Sequence, residues 1–413
     1  MTSVRRQLLL CLRAYRGGEG RAEQIESLSP EQWRELYVLS AAHKLIPVVY
    51  DTLYDLPGFC AGAEELAQLW KKDAILQTMG QTTRSQRLLE VTGALEEAGI
   101  CCPVVKGIHC RRLYAKGDLR PSGDEDLFLS RAELSRCEGV LTRLGFEKRS
   151  SGEEAVEHWR DPGTGLHLEV HTALFSTGWA AEEILNPYFE QALNRTVMAA
   201  GEGGSVRALN PTDHLVFLVA HALKHFITGG FGVRTLSDIL SFCERYGEEI
   251  CRDTLWNMLE QIRGAVFFRA LLGVGQHYLN FDAAPWGCFT SEPSDVNGLL
   301  LDMLDAGIYG QTSMERRHSA AMVLQAARGK GKRSLLSTLF PPADQLVGRY
   351  PILRRAPVLL PVAWMCRICG YGAELIRDRG TGNSPGAALA LGNQRMELMI
   401  RYEVFPQGKT ENR

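Results

Sequence analysis

Apolar positions recur at helical spacing through the first hundred residues. "RRQLLLCLRAY" opens the chain. "SPEQWRELYVLSAAHKLIPVVYDTLY" offers Ser29 as an N-cap, Pro30 at the first helical position, and Glu31 and Glu35 in the opening turns. In "SQRLLEVTGALEEAGI" Leu88, Leu89, Val91 and Leu95 share one stripe, and Gly99 suits the C-cap. At residue 101 the period changes. "CCPVV" and "EDLFL" read as short β runs on either side of a short helix at "HCRRLYA". "RAELSRCEGVLTRLGF" reads as a helix ending at Gly145, after which "AVEHWRD" and "LHLEVHTAL" alternate at period two. From about residue 205 helices return. "NPTDHLVFLVAHALKHFITG" runs from an Asn210 cap to Gly229, and further helical stretches cover 236–248, 252–275, 296–307, 313–328 and 357–377. The pattern predicts a helical region over 1–98, a compact α/β or α+β unit over 99–204, a helical domain over 205–403 and a loose polar tail over 404–413.

The candidate chemistry lies in the middle unit. "RPSGDEDLFL", residues 120–129, sets three carboxylates at the mouth of an apolar run. Strand alternation turns Asp124 and Asp126 to one face and Glu125 to the other. Two carboxylates one strand repeat apart either mark a solvated turn or chelate a divalent cation such as magnesium; left unpaired, they raise each other's pKa. Glu125, on the core side, needs a partner, and Arg120 is the candidate. Upstream, in "VVKGIHCRRLY", Gly107 permits close backbone approach to a phosphate and Lys106 adds a positive charge. Downstream, "LHLEVH" puts His167, Glu169 and His171 on one strand face and Leu166, Leu168 and Val170 on the other. A carboxylate flanked by imidazoles on such a strand asks for a cation, which makes Glu169 a natural third ligand.

A second constellation is "HALKH", where His221 and His225 stand one helical turn apart, with Asp238 further on. Three readings are open: core histidines hydrogen-bonded to Asp238, contacts to a substrate or nucleotide beside the carboxylates, or an independent metal site of a phosphohydrolase. No His-Asp doublet supports the last, since Phe226 follows His225.

Composition narrows the classes. The chain has 413 residues, 45% hydrophobic, with 46 Lys and Arg against 48 Asp and Glu, which excludes a chain-wide polyanion binder. Residues 311–380 carry twelve basic against four acidic residues, a segment able to steer a phosphate-bearing ligand or simply to form a solvated helical surface. Phe340, Tyr350 and Trp364 lie in the same segment and would suit base stacking, but aromatics among helices more often pack a core, so RNA is not the favoured partner. Eleven cysteines are scattered without a disulfide spacing, and the lone CxxC of Cys366 and Cys369, without a second pair, reads as packing thiols ahead of a zinc site. "QLLLCL" is too short for a secretory core and "APVLLPVAWMC" too short for a membrane span. A cytoplasmic protein without a membrane partner is the expectation.

The ordered set "KG", "DLRPSGDEDLFL", "LHLEVHTALF" and "HLVFLVAHALKHF…LSDIL" resembles a family of uncharacterised bacterial nucleotidyltransferases in the DNA polymerase beta-like superfamily. The likeness runs from "AAHKLIP" to "LFPPADQLVGRYP", most of the chain. It implies an α+β fold, a small mixed-sheet core between an N-terminal helical region and a larger C-terminal helical domain. It also implies an Mg-dependent transfer of a nucleoside monophosphate from an NTP to a hydroxyl of a small molecule, a protein or an RNA end. Asp124 and Asp126 match the family's metal pair, Glu169 its third carboxylate and Gly107 its phosphate-approach glycine. With two magnesium ions expected, Lys106 and Arg120 would neutralise the triphosphate, Ser122 and Gly123 would lie along the nucleotide, and His171, His221, His225 and Asp238 would contact substrate. The sequence departs from the pattern at "KGIH", at Glu125 between the aspartates, and at Glu169 in place of an aspartate. These departures leave a catalytically inactive binding module as the alternative, with hydrolysis at His221, His225 and Asp238 behind it.

Overall fold

Among the described residues the chain opens with helices α1 (Ser3–Arg16), α2 (Pro30–Ala42), α3 (Ile46–Leu53) and α4 (Glu64–Glu97). Ser29 starts α2 through a capping box with Gln32, accepting the Gln32 N–H at 3.3 Å while Gln32 Oε1 accepts the Ser29 N–H at 2.9 Å. In this computed structural model residues 1–17, 26–149, 155–175, 179–201, 203–287, 292, 294–307, 359–365 and 385–404 are described.

The sheet is small and mixed. Its strands are β1 (Glu125–Phe128), β2 (Glu147–Arg149), β3 (Val156–Arg160) and β4 (His167–His171), ordered β1-β4-β3-β2. The β1–β4 pair is parallel and the other two pairs are antiparallel. Short helices α5 (Ile108–Arg111) and α6 (Leu134–Arg143) flank β1 in sequence. "CCPVV" does not become a strand. Pro103 has no N–H to give, and Val104 donates to Arg207 O instead, at 2.9 Å, leaving one bridge to Leu127. The next elements, helix α7 (Glu182–Ala192) and the hairpin β5 (Val197–Ala199) and β6 (Val206–Ala208), carry no pattern that the sequence reading caught.

Helices α8 (Pro211–Thr228), α9 (Val233–Tyr246), α10 (Arg252–Gln261), α11 (Ala265–Tyr278) and α12 (Ser294–Ala306) follow, with α13 (Pro385–Arg401) near the end. Asn210 caps α8 as its sequence suggests. The stretch expected as one helix over 252–275 breaks between α10 and α11, where Arg263 takes a positive φ of 57° ahead of Gly264. The helix expected over 313–328 lies outside the described residues, as do Cys366, Cys369, Phe340, Tyr350 and nearly all of the basic segment.

One sheet face is apolar: Leu127, Leu168, Val170 and Trp159 pack on Leu88, Val91 and Leu95 of α4 and on Val140 and Leu141 of α6. The opposite face belongs to the larger core, in which Phe128 and Phe175 meet α8 and its neighbours. That second face carries the polar residues of interest. Among the described residues no helix is long and apolar enough to cross a membrane, and all eight described cysteines are free thiols.

Candidate functional site

Parallel pairing of β1 with β4 sets Asp126 directly opposite Glu169, and antiparallel pairing sets His158 opposite Glu169 on the other side. Alternation then gathers their side chains on one face, with His171 two residues along β4. His171 Nε2 lies 3.1 Å from Asp126 Oδ1 and 3.5 Å from Glu169 Oε2. His158 Nδ1 lies 3.6 Å from Glu169 Oε1. Donor atoms of Asp126, Glu169 and His171 all fall within 4.8 Å of one another, a set that fits a divalent cation. Asp124 sits just ahead of β1, coupled to both carboxylates by charge.

The electrostatics follow from crowding. Burial, then the Asp126 charge, lifts the Asp124 carboxyl up to about 6, with Glu169 adding and Lys106 and Lys44 opposing. Asp126 goes the other way. Burial disfavours its charge, but the hydrogen bond and charge of His171, helped by Lys106 and Lys224, hold it below the ordinary carboxylate value. For His171 burial again opposes charge, and the Asp126 and Glu169 oxygens outweigh it, pushing the imidazole up to about 9.

Helix α8 brings the histidine pair against this face. His221 and His225 place their Nε2 atoms 3.3 Å apart. Burial, followed by the Lys106 charge, drives the His221 pKa well down and that of His225 to about 3, so both rings are neutral at pH 7. His171 acts electrostatically on His221, and Asp126 on His225.

Several expected residues are committed elsewhere. Arg120 is buried and forked onto Asp238, Nε to Oδ1 at 2.7 Å and Nη2 to Oδ2 at 2.5 Å. Asp238 also accepts the Tyr114 hydroxyl at 2.9 Å. Asp238 is thus the partner of Arg120 rather than of the histidines. The partner expected for Glu125 is also corrected. Glu125 pairs with Arg111, whose Nη1 lies 2.5 Å from Oε1, and accepts the Ile108 N–H at 3.0 Å. Its carboxylate fills the Gly107 turn, where a Cβ would meet Glu125 Oε2 at 1.7 Å. The Cβ side of Gly107 and the Ile108 N–H at the start of α5 are thus both engaged by Glu125. Ser122 is spent within the loop: its N–H donates to Gln81 Oε1 at 2.7 Å and its hydroxyl accepts from Arg111 at 2.8 Å and Arg120 at 3.1 Å. Gly123 is exposed beside Asp124.

A family model described as uncharacterised nucleotidyltransferase matches residues 29–280. The chain belongs to this family. Among solved structures it is similar to a tRNA-processing enzyme in an apo form, at 14% identity and a TM-score of 0.22, over 77% of this chain and 96% of that one. It is also similar to a tRNA nucleotidyltransferase complexed with a primer tRNA and an incoming ATP analogue, at 12% identity and a TM-score of 0.21, over 76% and 94%. Scores this low carry no weight for the fold or the acceptor. No curated protein matched the chain.

In this member of the nucleotidyltransferase family three residues near the carboxylates escaped the sequence reading. Lys44, in the α2–α3 turn at a positive φ of 53°, has its pKa lowered by burial and by Arg234, with Asp124 opposing. Lys224 acts on Asp126 from α8; its i, i+3 spacing from His221 was the available signal. Arg111 was legible only as one of two arginines in a short helix.

Proposed function

We propose that the protein transfers a nucleoside monophosphate from an NTP to a hydroxyl acceptor, with Asp124, Asp126 and Glu169 as its central carboxylates. The observation that carries this reading is the register that sets Asp126 beside Glu169 on one polar sheet face. Asp124 and Asp126 would hold magnesium, two ions being expected, and Glu169 would complete the set. When bound, the metal neutralises phosphate charge and eases ionisation of the attacking hydroxyl. The acceptor oxygen forms a bond to the α-phosphorus, the bond to pyrophosphate breaks, and Glu169 takes the hydroxyl proton. Lys106 offsets triphosphate charge, and Lys44 and Lys224, which act on the same carboxylates, are placed to share that role. Neutral His221 and His225 suit hydrogen bonds to an uncharged group of nucleotide or acceptor.

Titration calorimetry of each NTP with and without magnesium, beside an Asp124→Ala/Asp126→Ala double variant, tests this directly. The expected result is magnesium-dependent binding that the double variant loses, and pyrophosphate release reduced about a hundredfold or more. Binding indifferent to both magnesium and the substitutions would sink the assignment. The second reading, an inactive nucleotide-binding module, has the Glu125-filled Gly107 turn in its favour; it predicts binding without pyrophosphate release.

A further inference from the structure

Three donor atoms around one cation have characteristic spacings. Ligands about 2.1 Å from a metal stand about 3.0 Å apart when cis in an octahedron and about 3.4 Å apart in a tetrahedron. His171 Nε2 stands 3.1 Å from Asp126 Oδ1 and 3.5 Å from Glu169 Oε2. Here a single nitrogen faces one oxygen of each carboxylate. Nδ1, on the far side of the ring, is buried and has no hydrogen-bond partner among the described residues.

We infer that His171 is itself a metal ligand, so that Asp126, Glu169 and His171 form a mixed nitrogen and oxygen site that favours a first-row transition-metal ion over Mg2+. The inference rests on the carboxylate centre proposed above and deepens it. An imidazole binds such ions better than it binds Mg2+, which prefers oxygen ligands and retains water. His158, whose Nδ1 is 3.6 Å from Glu169, is half exposed and reaches only one carboxylate. It stays outside the set.

Mn2+ is the probe, because its pulsed electron paramagnetic resonance spectrum reports a directly bound nitrogen without any turnover. The full chain should bind Mn2+ about tenfold or more tighter than Mg2+ by calorimetry, with a nitrogen hyperfine coupling. His171→Gln, checked for folding by its thermal melt, should lose the coupling and bring the two affinities within about threefold. His158→Gln should keep both the coupling and the preference. An Mn2+ complex with no nitrogen coupling overturns the inference, as does a coupling lost in His158→Gln or kept in His171→Gln. Should His171→Gln fail to fold, His171→Asn and the spectrum of the unmodified chain still decide the matter. The two levels separate cleanly. Mn2+ binding indifferent to Asp126→Ala overturns the carboxylate centre itself, whereas binding that Asp126→Ala removes, without a nitrogen coupling, overturns the role of His171 alone.

Discussion

Glu125 shows how a single residue can carry an anomaly. On the core side of a strand its charge is costly unless paired, and it is only 2% exposed. Arg111 and the Ile108 N–H supply the pair, while Gly107, at a φ of 51°, makes the room. The departure at "KGIH" and the carboxylate between the two aspartates are thus two halves of one contact. Gly107→Ala should cost about 3 kcal/mol or more, because its Cβ would overlap the Glu125 carboxylate and the residue would also hold a positive φ. A urea midpoint unchanged by that substitution would contradict the packing. Glu125→Gln leaves a buried guanidinium without its counter-charge, and a loss of about 3 kcal/mol is expected in the same measurement.

At the level of elements, the loop that carries Asp124 is held from several sides. Helix α9 grips it through Asp238 to Arg120 and through Arg234 to Pro121 O at 2.5 Å, α4 through Gln81, and α5 through Arg111. Asp238→Ala should destabilise the fold by about 3–5 kcal/mol, since it leaves Arg120 buried and unpaired. An Arg120→Met/Asp238→Leu pair should recover much of that loss, as removing both charges removes the penalty. Equal losses in the single and double variants would show that packing, not charge, sets the cost. The cap of α2 makes a smaller claim: Ser29→Ala should cost about 1 kcal/mol, read as a shift in thermal midpoint.

Across the whole molecule, buried histidines tie stability to pH. His43, beneath α12, and His214, on α8, are each driven by burial down to about 4, and His109, His221 and His225 are lowered as well. Between about pH 6.5 and about pH 4 the unfolded chain binds protons that the folded chain refuses, so stability is full above that window and falls as pH drops through it. Near pH 5 each such group takes away up to about 2 kcal/mol. Asp124, pushed up to about 6, and His171, pushed up to about 9, work in the opposite sense, but these two groups do not offset the five lowered imidazoles. Denaturation in urea at pH 7 and at pH 5, without added metal, should give a clearly lower stability at pH 5. His214→Gln should flatten the dependence, and a stability that held or rose on acidification would refute the account.

Patterning by itself determined a middle unit of mixed strands and helices between helical regions, the start of α2 at Ser29, the start of α8 at Asn210, and the placing of Asp126, Glu169 and His171 on polar strand faces. These features are local: a cap needs one side chain near three backbone groups, and a strand face needs only alternation. Pairing was not local. Which strand lies beside β1, and therefore that Asp126 stands opposite Glu169, was decided by sheet assembly. Partner choice among buried charges was decided there as well, because Arg111 and Arg120 compete for Glu125 and Asp238 over distances that only the packed fold defines. The same is true of Lys44, in the α2–α3 turn, and Lys224, on α8, which lie far apart in the chain and act on Asp124 and Asp126. Sequence supplied the chemically able residues; the fold selected partners, since a buried charge is tolerated only where the finished packing places its opposite.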